Sequence, residues 1–456
     1  MNGAYGHQTR PHNLRHMSID FEKNIEFLFQ DMEDEIKERN RKRAEIRALK
    51  SFRDRSNGYM EEAGMRWGNK THELDTKAFE LLKNPDKYKC VYIFGAGLIG
   101  NQIMPVFMTY GILKGFIDNN KLKQKKGCRG INVYSLDEYL KIKEGIIVVA
   151  VSEKNRPEII QNLEKYKLIK NKDYFLSNDF FCDIFPIISY FLFNRLYIDL
   201  AQISLTERCT LRCKKCAHGC SAIDDSKKRD LTLEEIYKSA DSFFCKVDYI
   251  REFVLIGGEP LLHQELSTAI NYIGERYRHQ IGTFSITTNG TITPNVQVLN
   301  MCKQYGVLIR ISNYIRAIPN LGKSQTRLLE ALKENEIEYI LDEEDLNWTD
   351  YGFDYLDRHA SANELINVFD ACKTSCREIR ENKFYFCVMA RSVAENMGLN
   401  VGKEDYLDLD TLQGEKGRKE LMEFNLGYSS KGYLDMCNFC NGKERVNYPI
   451  PVAEQK

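Results

Sequence analysis

Cys209, Cys213 and Cys216 fall in one short segment, Ser204-Leu-Thr-Glu-Arg-Cys-Thr-Leu-Arg-Cys-Lys-Lys-Cys-Ala-His218, with the spacing Cys-x3-Cys-x2-Cys. Three thiolates on one loop can hold three irons of a four-iron, four-sulfur cube and leave the fourth open to a small chelating molecule. Taken alone, the triplet also permits zinc or a ferredoxin-like site. The chain holds 14 cysteines, and nine lie in two clusters, at 209–220 and 372–440. In a reducing compartment such clustering points to metal ligation rather than disulfides. Cys90, Cys128, Cys182, Cys245 and Cys302 are scattered and read as small core residues.

The elements that must position these thiols are legible as alternating strands and helices. Strands are expected at Tyr197–Leu205, Glu252–Ile256, Thr283–Thr287 and Val307–Ile311, with helices such as Thr232–Phe244 and Gln264–Arg276 between them. That order implies a parallel sheet or partial barrel, whose ligands sit at the carboxyl ends of the strands. The cysteine triplet follows the first strand. Gly257-Gly258-Glu259-Pro260 follows the second, Thr288-Asn289-Gly290 the third and Ser312-Asn313 the fourth. A glycine pair lets backbone approach a ligand closely, and a carboxylate suits an ammonium group.

With these motifs in this order, the chain resembles the radical S-adenosylmethionine (SAM) superfamily. The resemblance implies a partial (β/α)6 barrel with a [4Fe–4S] cluster on Cys209, Cys213 and Cys216. It implies SAM contacts from Gly257, Gly258, Glu259, Pro260, Asn289, Ser312 and Asn313. It also implies reductive cleavage of SAM to a 5′-deoxyadenosyl radical, with electrons from a donor such as flavodoxin or ferredoxin. The chain departs from the family at Lys215, where relatives usually carry an aromatic residue covering adenine. Cys220 is an additional thiol, and His218 reads as a packed or capping histidine. No catalytic hydrogen donor or base stands out.

The segment after residue 360 resembles the twitch or SPASM extension that follows many such cores. Cys372, Asn382 and Cys387 match its Cys…Gly…Cys spacing with Asn in place of Gly, and Cys437-x2-Cys440 completes four ligands. Cys376 is the rival to Cys372. Four ligands imply one auxiliary [4Fe–4S] cluster; a structural zinc fits the same spacing. Asn tolerates the left-handed backbone that the glycine position requires.

Earlier in the chain, strands at Cys90–Phe94, Leu113–Ile117 and Gly145–Val151 frame Gly95-x-Gly97-x-x-Gly100, with Asp118 closing the second strand. That is a dinucleotide fingerprint in its proper context. It resembles the small nucleotide-binding domain of sugar acetyltransferases and other glycan-pathway enzymes, which implies a nucleotide or nucleotide-sugar at Gly95, Gly97, Gly100 and Asp118. An NAD-type dinucleotide, or a scaffold that has lost its ligand, stays open.

The expected architecture is therefore α/β, in four parts. Residues 1–84 form a charged helical region with a disordered start, and 85–182 a Rossmann-like domain. Residues 190–360 form the radical SAM core and 361–456 the Cys-rich extension. Lys plus Arg equals Asp plus Glu at 65 each, which gives no global field for nucleic acid. No apolar run reaches the roughly 20 residues of a membrane span, and no secretory signal is visible, so a cytoplasmic protein is expected. The expected substrate is a small molecule, a carbohydrate or nucleotide-sugar of a surface-polysaccharide pathway, undergoing oxidation, epimerisation or dehydration. The rival readings are a peptide maturase and a non-catalytic metal or nucleotide sensor.

Overall fold

The computed structural model describes residues 78, 81–342, 347–353, 357–372, 374–399, 402, 405–428, 431–442 and 447–456. The helical region expected before residue 78 lies outside the described residues.

Five short strands open the fold: β1 Val91–Phe94, β2 Leu113–Ile117, β3 Val133–Tyr134, β4 Ile146–Val149 and β5 Tyr174–Leu176. They pair in parallel in the order β3-β2-β1-β4-β5. Every side chain of β1 and β4 is buried, because helices cover both faces. Val91, Ile93, Ile146 and Val148 enter one core, and Tyr92, Phe94, Ile147 and Val149 the other. Sequence patterning finds β1, β2 and β4 only. The two- and three-residue β3 and β5 are too short to show a period.

The apolar stretch after β5 forms the helix Phe185–Phe193, which ends at Asn194 with φ 51°. Among the described residues no helix is long and apolar enough to cross a membrane. The chain then enters a second sheet through β6 Tyr197–Ser204, β7 Tyr249–Ile256, β8 Ile281–Thr288, β9 Leu308–Ile311 and β10 Tyr339–Leu341. These five are parallel neighbours in sequence order. Thr232 and Ser361 start two of the surrounding helices with capping boxes to Glu235 and Glu364.

The sixth parallel strand does not continue from β10. Only five residues separate β10 from β11 Asn347–Asp350, too few for a parallel crossover. β11 instead pairs antiparallel with β15 Tyr448–Pro451. The sixth parallel place goes to β12 Arg377–Arg380, which lies beside β6 at the opposite edge, after the crossover helix Ala362–Asp370. β13 Lys383–Tyr385 and β14 Tyr406–Asp408 extend that edge antiparallel. Residues 361–456 thus share a core with the sheet. Ile366, Ile379, Phe384, Leu421 and Cys437 belong to the same apolar cluster as Ile203, Phe253 and Ile286.

Alternation along these strands sets the site. Ala201, Ile203, Phe253, Leu255, Phe284 and Ile286 pack in that apolar cluster. Their neighbours Gln202, Ser204, Glu252 and Ser285 are buried polar residues and satisfy one another or a partner. Gln202 donates to Glu378 at 2.7 Å, and Glu252 accepts from Arg310 Nε at 2.7 Å and from Ser285 at 3.3 Å.

Candidate active site and cofactor centres

The loop after β6 is stitched to the loop after β7. Gly258 N donates to Thr206 O and Glu259 N to Arg208 O, both at 2.8 Å. Arg208 is in turn held by Asp230 and donates to Leu262 O at 2.8 Å. A Cβ at Gly258 would sit 2.2 Å from Arg208 O and 3.0 Å from Cys209 Cβ. The glycine pair is thus demanded by the cysteine loop itself, in addition to any ligand.

Cys209, Cys213 and Cys216 line one cavity of about 330 Å³, together with Gly257, Gly258, Asn289 and Ser312. Seven of the ten expected cluster and SAM residues therefore share one wall. The other three do not line it. Glu259 is fully buried behind it, accepting from Thr288 Oγ1 at 2.9 Å, Asn289 N at 2.8 Å and Leu261 N at 3.1 Å. Burial raises its carboxyl pKa to about 7 despite these bonds. Its observed contacts join the β7 and β8 loops. Pro260 packs beside it, buried, and Asn313 keeps its Oδ1 buried without a hydrogen-bond partner.

The sulfurs are approached by N–H donors. Leu211 N lies 3.4 Å and Asn289 Nδ2 3.5 Å from Cys209 Sγ, and Gln455 Nε2 lies 3.3 Å from Cys213 Sγ. A hydrogen bond from the Cys220 thiol lowers the pKa of the Cys216 thiol. Three thiols on a cavity wall, each with a hydrogen-bonding neighbour, fit the donor set that would hold a [4Fe–4S] cluster. Among the described residues, no three His, Cys, Asp or Glu side chains are grouped as they would be around a bound metal ion. His218 also lines the cavity, its Nδ1 3.2 Å from Ser204 Oγ and 3.4 Å from Ser392 Oγ. Burial lowers its pKa.

Sequence reasoning missed the aromatic side of the cavity. Tyr314, Trp348, Tyr351 and Phe353 line it, and the Tyr314 and Trp348 rings meet edge to face at 5.7 Å. Lys215, which replaces the family's aromatic residue, pairs with Asp350 at 3.3 Å and so ties the cysteine loop to β11, which carries Trp348. The one available signal was the rarity of tryptophan, two in the chain.

The second cysteine set also assembles. Cys372 and Cys440 bear electrostatically on Cys387, and Cys440 and Cys387 on Cys437. Among charged groups, Cys376 is influenced chiefly by Arg377, Glu252 and Glu378. Burial raises the Cys376, Cys387 and Cys437 thiols. Arg377, buried, is held by Asn425 O at 2.6 Å and by Phe386 O and Thr374 O at 2.9 Å. Cys372, Cys376 and Cys387 all act on it, making it a fixed cation beside this set. The turn Asp435–Phe439, which carries Cys437, is held by Asp405 accepting from Asp435 N at 2.6 Å and Met436 N at 2.9 Å. The expected left-handed backbone at Asn382 is corrected: Glu381 takes it, with φ 55°. The Asn382 side chain instead donates to Asp408 and Asp410 at 3.0 and 2.8 Å.

The glycine loop after β1 fits its fingerprint. Gly95 has φ 113°, and a Cβ at Gly100 would sit 1.9 Å from Gly95 O, whereas Gly97 meets nothing within 4 Å. Asp118, expected to face a ligand, is engaged by the loop: Oδ2 accepts from Ala96 N at 2.9 Å and Lys123 Nζ at 3.0 Å, and Oδ1 from Asn120 N at 2.9 Å. No residue of this loop lines the cavity. The junction between the two sheets is made at the far end of the helix Leu98–Thr109. There Thr109 O accepts from Arg195, Tyr110 shares a 2.6 Å hydrogen bond with Ser189, and its ring meets Tyr249, the first residue of β7. The twelve-residue helix puts about 18 Å between this junction and the glycine loop. The eight-residue β6 puts about 26 Å between it and the cysteine loop.

Residues 203–341 match the family model described as the radical SAM superfamily. The chain carries a radical SAM domain, of the enzyme class that uses a [4Fe–4S] cluster with SAM. A GTP 3′,8-cyclase of Rhizobium etli (strain CIAT 652) is 31% identical over 110 residues, 24% of this chain and 30% of that protein. A GTP 3′,8-cyclase of Microcystis aeruginosa is 34% identical over 100 residues, 22% of this chain and 30% of that protein. The chain thus spans under a third of the length of these curated relatives. Among solved structures, BtrN in complex with AdoMet and 2-DOIA is 14% identical, with 57% of this chain and 97% of that one covered at a TM-score of 0.31. Native anSMEcpe with bound AdoMet and Cp18Cys peptide is 17% identical, with 32% and 42% covered at a TM-score of 0.26.

Proposed function

We propose that this protein cleaves SAM reductively and uses the resulting radical to abstract hydrogen from a small hydroxylated substrate, a carbohydrate or nucleotide-sugar. The observation that carries the reading is the convergence of Cys209, Cys213 and Cys216 with Gly257, Gly258, Asn289 and Ser312 on one cavity wall. In this reading the triad holds the SAM cluster, and Cys372, Cys387, Cys437 and Cys440 hold one auxiliary [4Fe–4S] cluster. When bound, the cavity cluster supplies the electron that splits SAM into methionine and a 5′-deoxyadenosyl radical.

The chain's own residues then orient and shield. The Gly257–Gly258 backbone and Asn289 offer polar contacts to SAM, and Trp348 and Tyr314 form an aromatic wall. Hydroxyls of Thr287, Ser312 and Thr349 beside those rings are the mixed lining that a sugar takes. The glycine loop contributes no residue to the cavity lining. We assign Gly95–Gly100 to a separate nucleotide.

The test is anaerobic reconstitution with iron and sulfide, iron counting, then dithionite and SAM with 5′-deoxyadenosine as readout. The expected result is about eight irons per chain, falling to about four in a Cys209/Cys213/Cys216→Ala variant that makes no deoxyadenosine. About four irons plus one zinc, with cleavage intact, would leave the activity standing and reassign the second cysteine set. No deoxyadenosine from loaded protein, with sugar substrates supplied, would overturn the reading.

A further inference from the structure

A second cavity, of about 310 Å³, opens beside β12, away from the one that holds the cysteine triad. No residue is common to the two linings: Met389 faces the first, and Ala390 and Arg391 face the second. Four cations, Arg229, Arg380, Lys383 and Arg391, line it against two carboxylates, Glu381 and Glu395.

The four cations are engaged to different degrees. Arg391 is paired with Glu378 and Glu395, each at 3.2 Å, and Arg229 with Glu235 at 2.8 Å. Lys383 lies 4.9 Å over the Tyr406 ring. Arg380 is the least engaged. It is the last residue of β12, its side chain is only 9% exposed, and among the described residues its buried Nη2 has no hydrogen-bond partner. Its ion-pair partner, Glu207 Oε1, stands 4.0 Å away. A buried guanidinium donor left unmatched is rare and calls for an acceptor. Arg391 and Arg229 crowd the same guanidinium with like charge and, after burial, depress its pKa further. The register of β12 on β6 pairs Glu378 with Gln202, so Arg380, two residues on, stands level with Ser204 at the carboxyl end of β6. Carboxyl ends of parallel strands are where α/β folds take ligands.

We propose that this cavity is a binding site for a compact oxyanion, a phosphate or carboxylate group, with Arg380 as the buried donor and Lys383 and Arg229 at the rim. A guanidinium presents paired donors that match either group. The site stands independently of SAM cleavage, so its test and that of the proposed function fail separately.

The test is isothermal titration of the anaerobic, cluster-loaded full chain with inorganic phosphate and, separately, with citrate, at matched ionic strength. Saturable binding of phosphate alone marks a phosphoryl ligand, of citrate alone a carboxylate, and of both a general oxyanion site; each supports the proposal. Arg380→Gln is expected to weaken that binding by roughly 10-fold or more, the scale of one charge-assisted hydrogen bond. Lys383→Gln, at a half-exposed rim position, weakens it less and decides the matter if the buried variant does not fold. Absence of saturable binding to the unmodified chain, or unchanged affinity in the folded variants, overturns the proposal.

Discussion

Gln455 Nε2 donates to Cys213 Sγ at 3.3 Å across 242 residues of chain. The contact belongs to a clasp: Gln455 Oε1 accepts from Arg212 N at 2.6 Å, Lys214 N donates to Glu454 O at 2.7 Å, and Lys456 N donates to Arg212 O at 2.9 Å. The same stretch begins as β15, which pairs with β11, so one segment connects the Trp348 side of the cavity to the cysteine loop. Hydrogen bonds to cluster sulfurs raise reduction potential. Gln455→Leu is therefore expected to shift the triad-bound cluster to a more negative potential, measured by redox titration followed by EPR. A potential equal to that of the parent protein would show that the donor does not act on the cluster.

Trp348 lines the same cavity as Lys215, the residue at the family's loop-aromatic position. Its ring meets Tyr314 edge to face, and its strand is tied to the cysteine loop through Lys215–Asp350. Trp348→Ala is expected to raise the Kd for SAM about 2- to 10-fold, the scale of one aromatic pair. Equilibrium dialysis with the loaded protein measures it, and an unchanged Kd would move the adenine elsewhere.

The two rival cysteines of the second set are separated by their surroundings. Cys372 bears on Cys387, whereas Cys376 faces Glu252, Glu378 and Arg377. Cys372→Ala is expected to remove the auxiliary cluster, lowering iron from about eight to about four per chain, and Cys376→Ala to leave the count unchanged. Iron analysis after identical reconstitution distinguishes them. The reverse pattern would exchange the two assignments.

Local signals carried most of what could be read from sequence. The triplet at 209–216, the Gly257–Gly258 pair and Asn289 each sit at the end of an apolar run, so their shared wall follows from strand order alone. Distant pairings left no such trace. β12 joins β6 through residues some 176 apart, with Gln202 bonded to Glu378, and nothing near either residue announces the other. Gln455 and Trp348 reach the site in the same way. Asn382 reads as tolerating a left-handed backbone, and Asp118 as a contact to a nucleotide. Glu381 took the left-handed position, and the Asp118 carboxylate was spent on its own loop.

The glycine loop offers a clean pair of substitutions. A Cβ at Gly100 would meet Gly95 O at 1.9 Å, whereas Gly97 has open space and ordinary angles of φ −106° and ψ −161°. Gly100→Ala is expected to destabilise the first sheet by about 1–3 kcal/mol, seen as a lower Tm. Gly97→Ala is expected to keep the Tm and to weaken binding of UDP- or GDP-sugars, because its methyl fills the space a phosphate would use. If neither variant changes nucleotide-sugar binding in a titration, the loop is a scaffold without a ligand.

Asp405 makes a pH dependence with a definite sign. The residue is 1% exposed, caps the turn that carries Cys437, and burial raises its carboxyl from 3.8 to about 7. The folded chain therefore holds this proton more tightly than the unfolded chain, so the group's contribution to stability is full below pH 3.8 and is lost as pH rises through about 7. Asp405→Asn keeps an acceptor for one of the two amides, since Asp435 N and Met436 N bond to different carboxylate oxygens, and removes the titration. Between about pH 4 and pH 7, the span of that loss, the Tm of the parent chain is expected to fall relative to that of the Asn variant. The parent's advantage is largest at the acid end and smallest at the alkaline end. Parallel melting curves across the window would sink the assignment, because a carboxylate charged at every pH in that range contributes no slope.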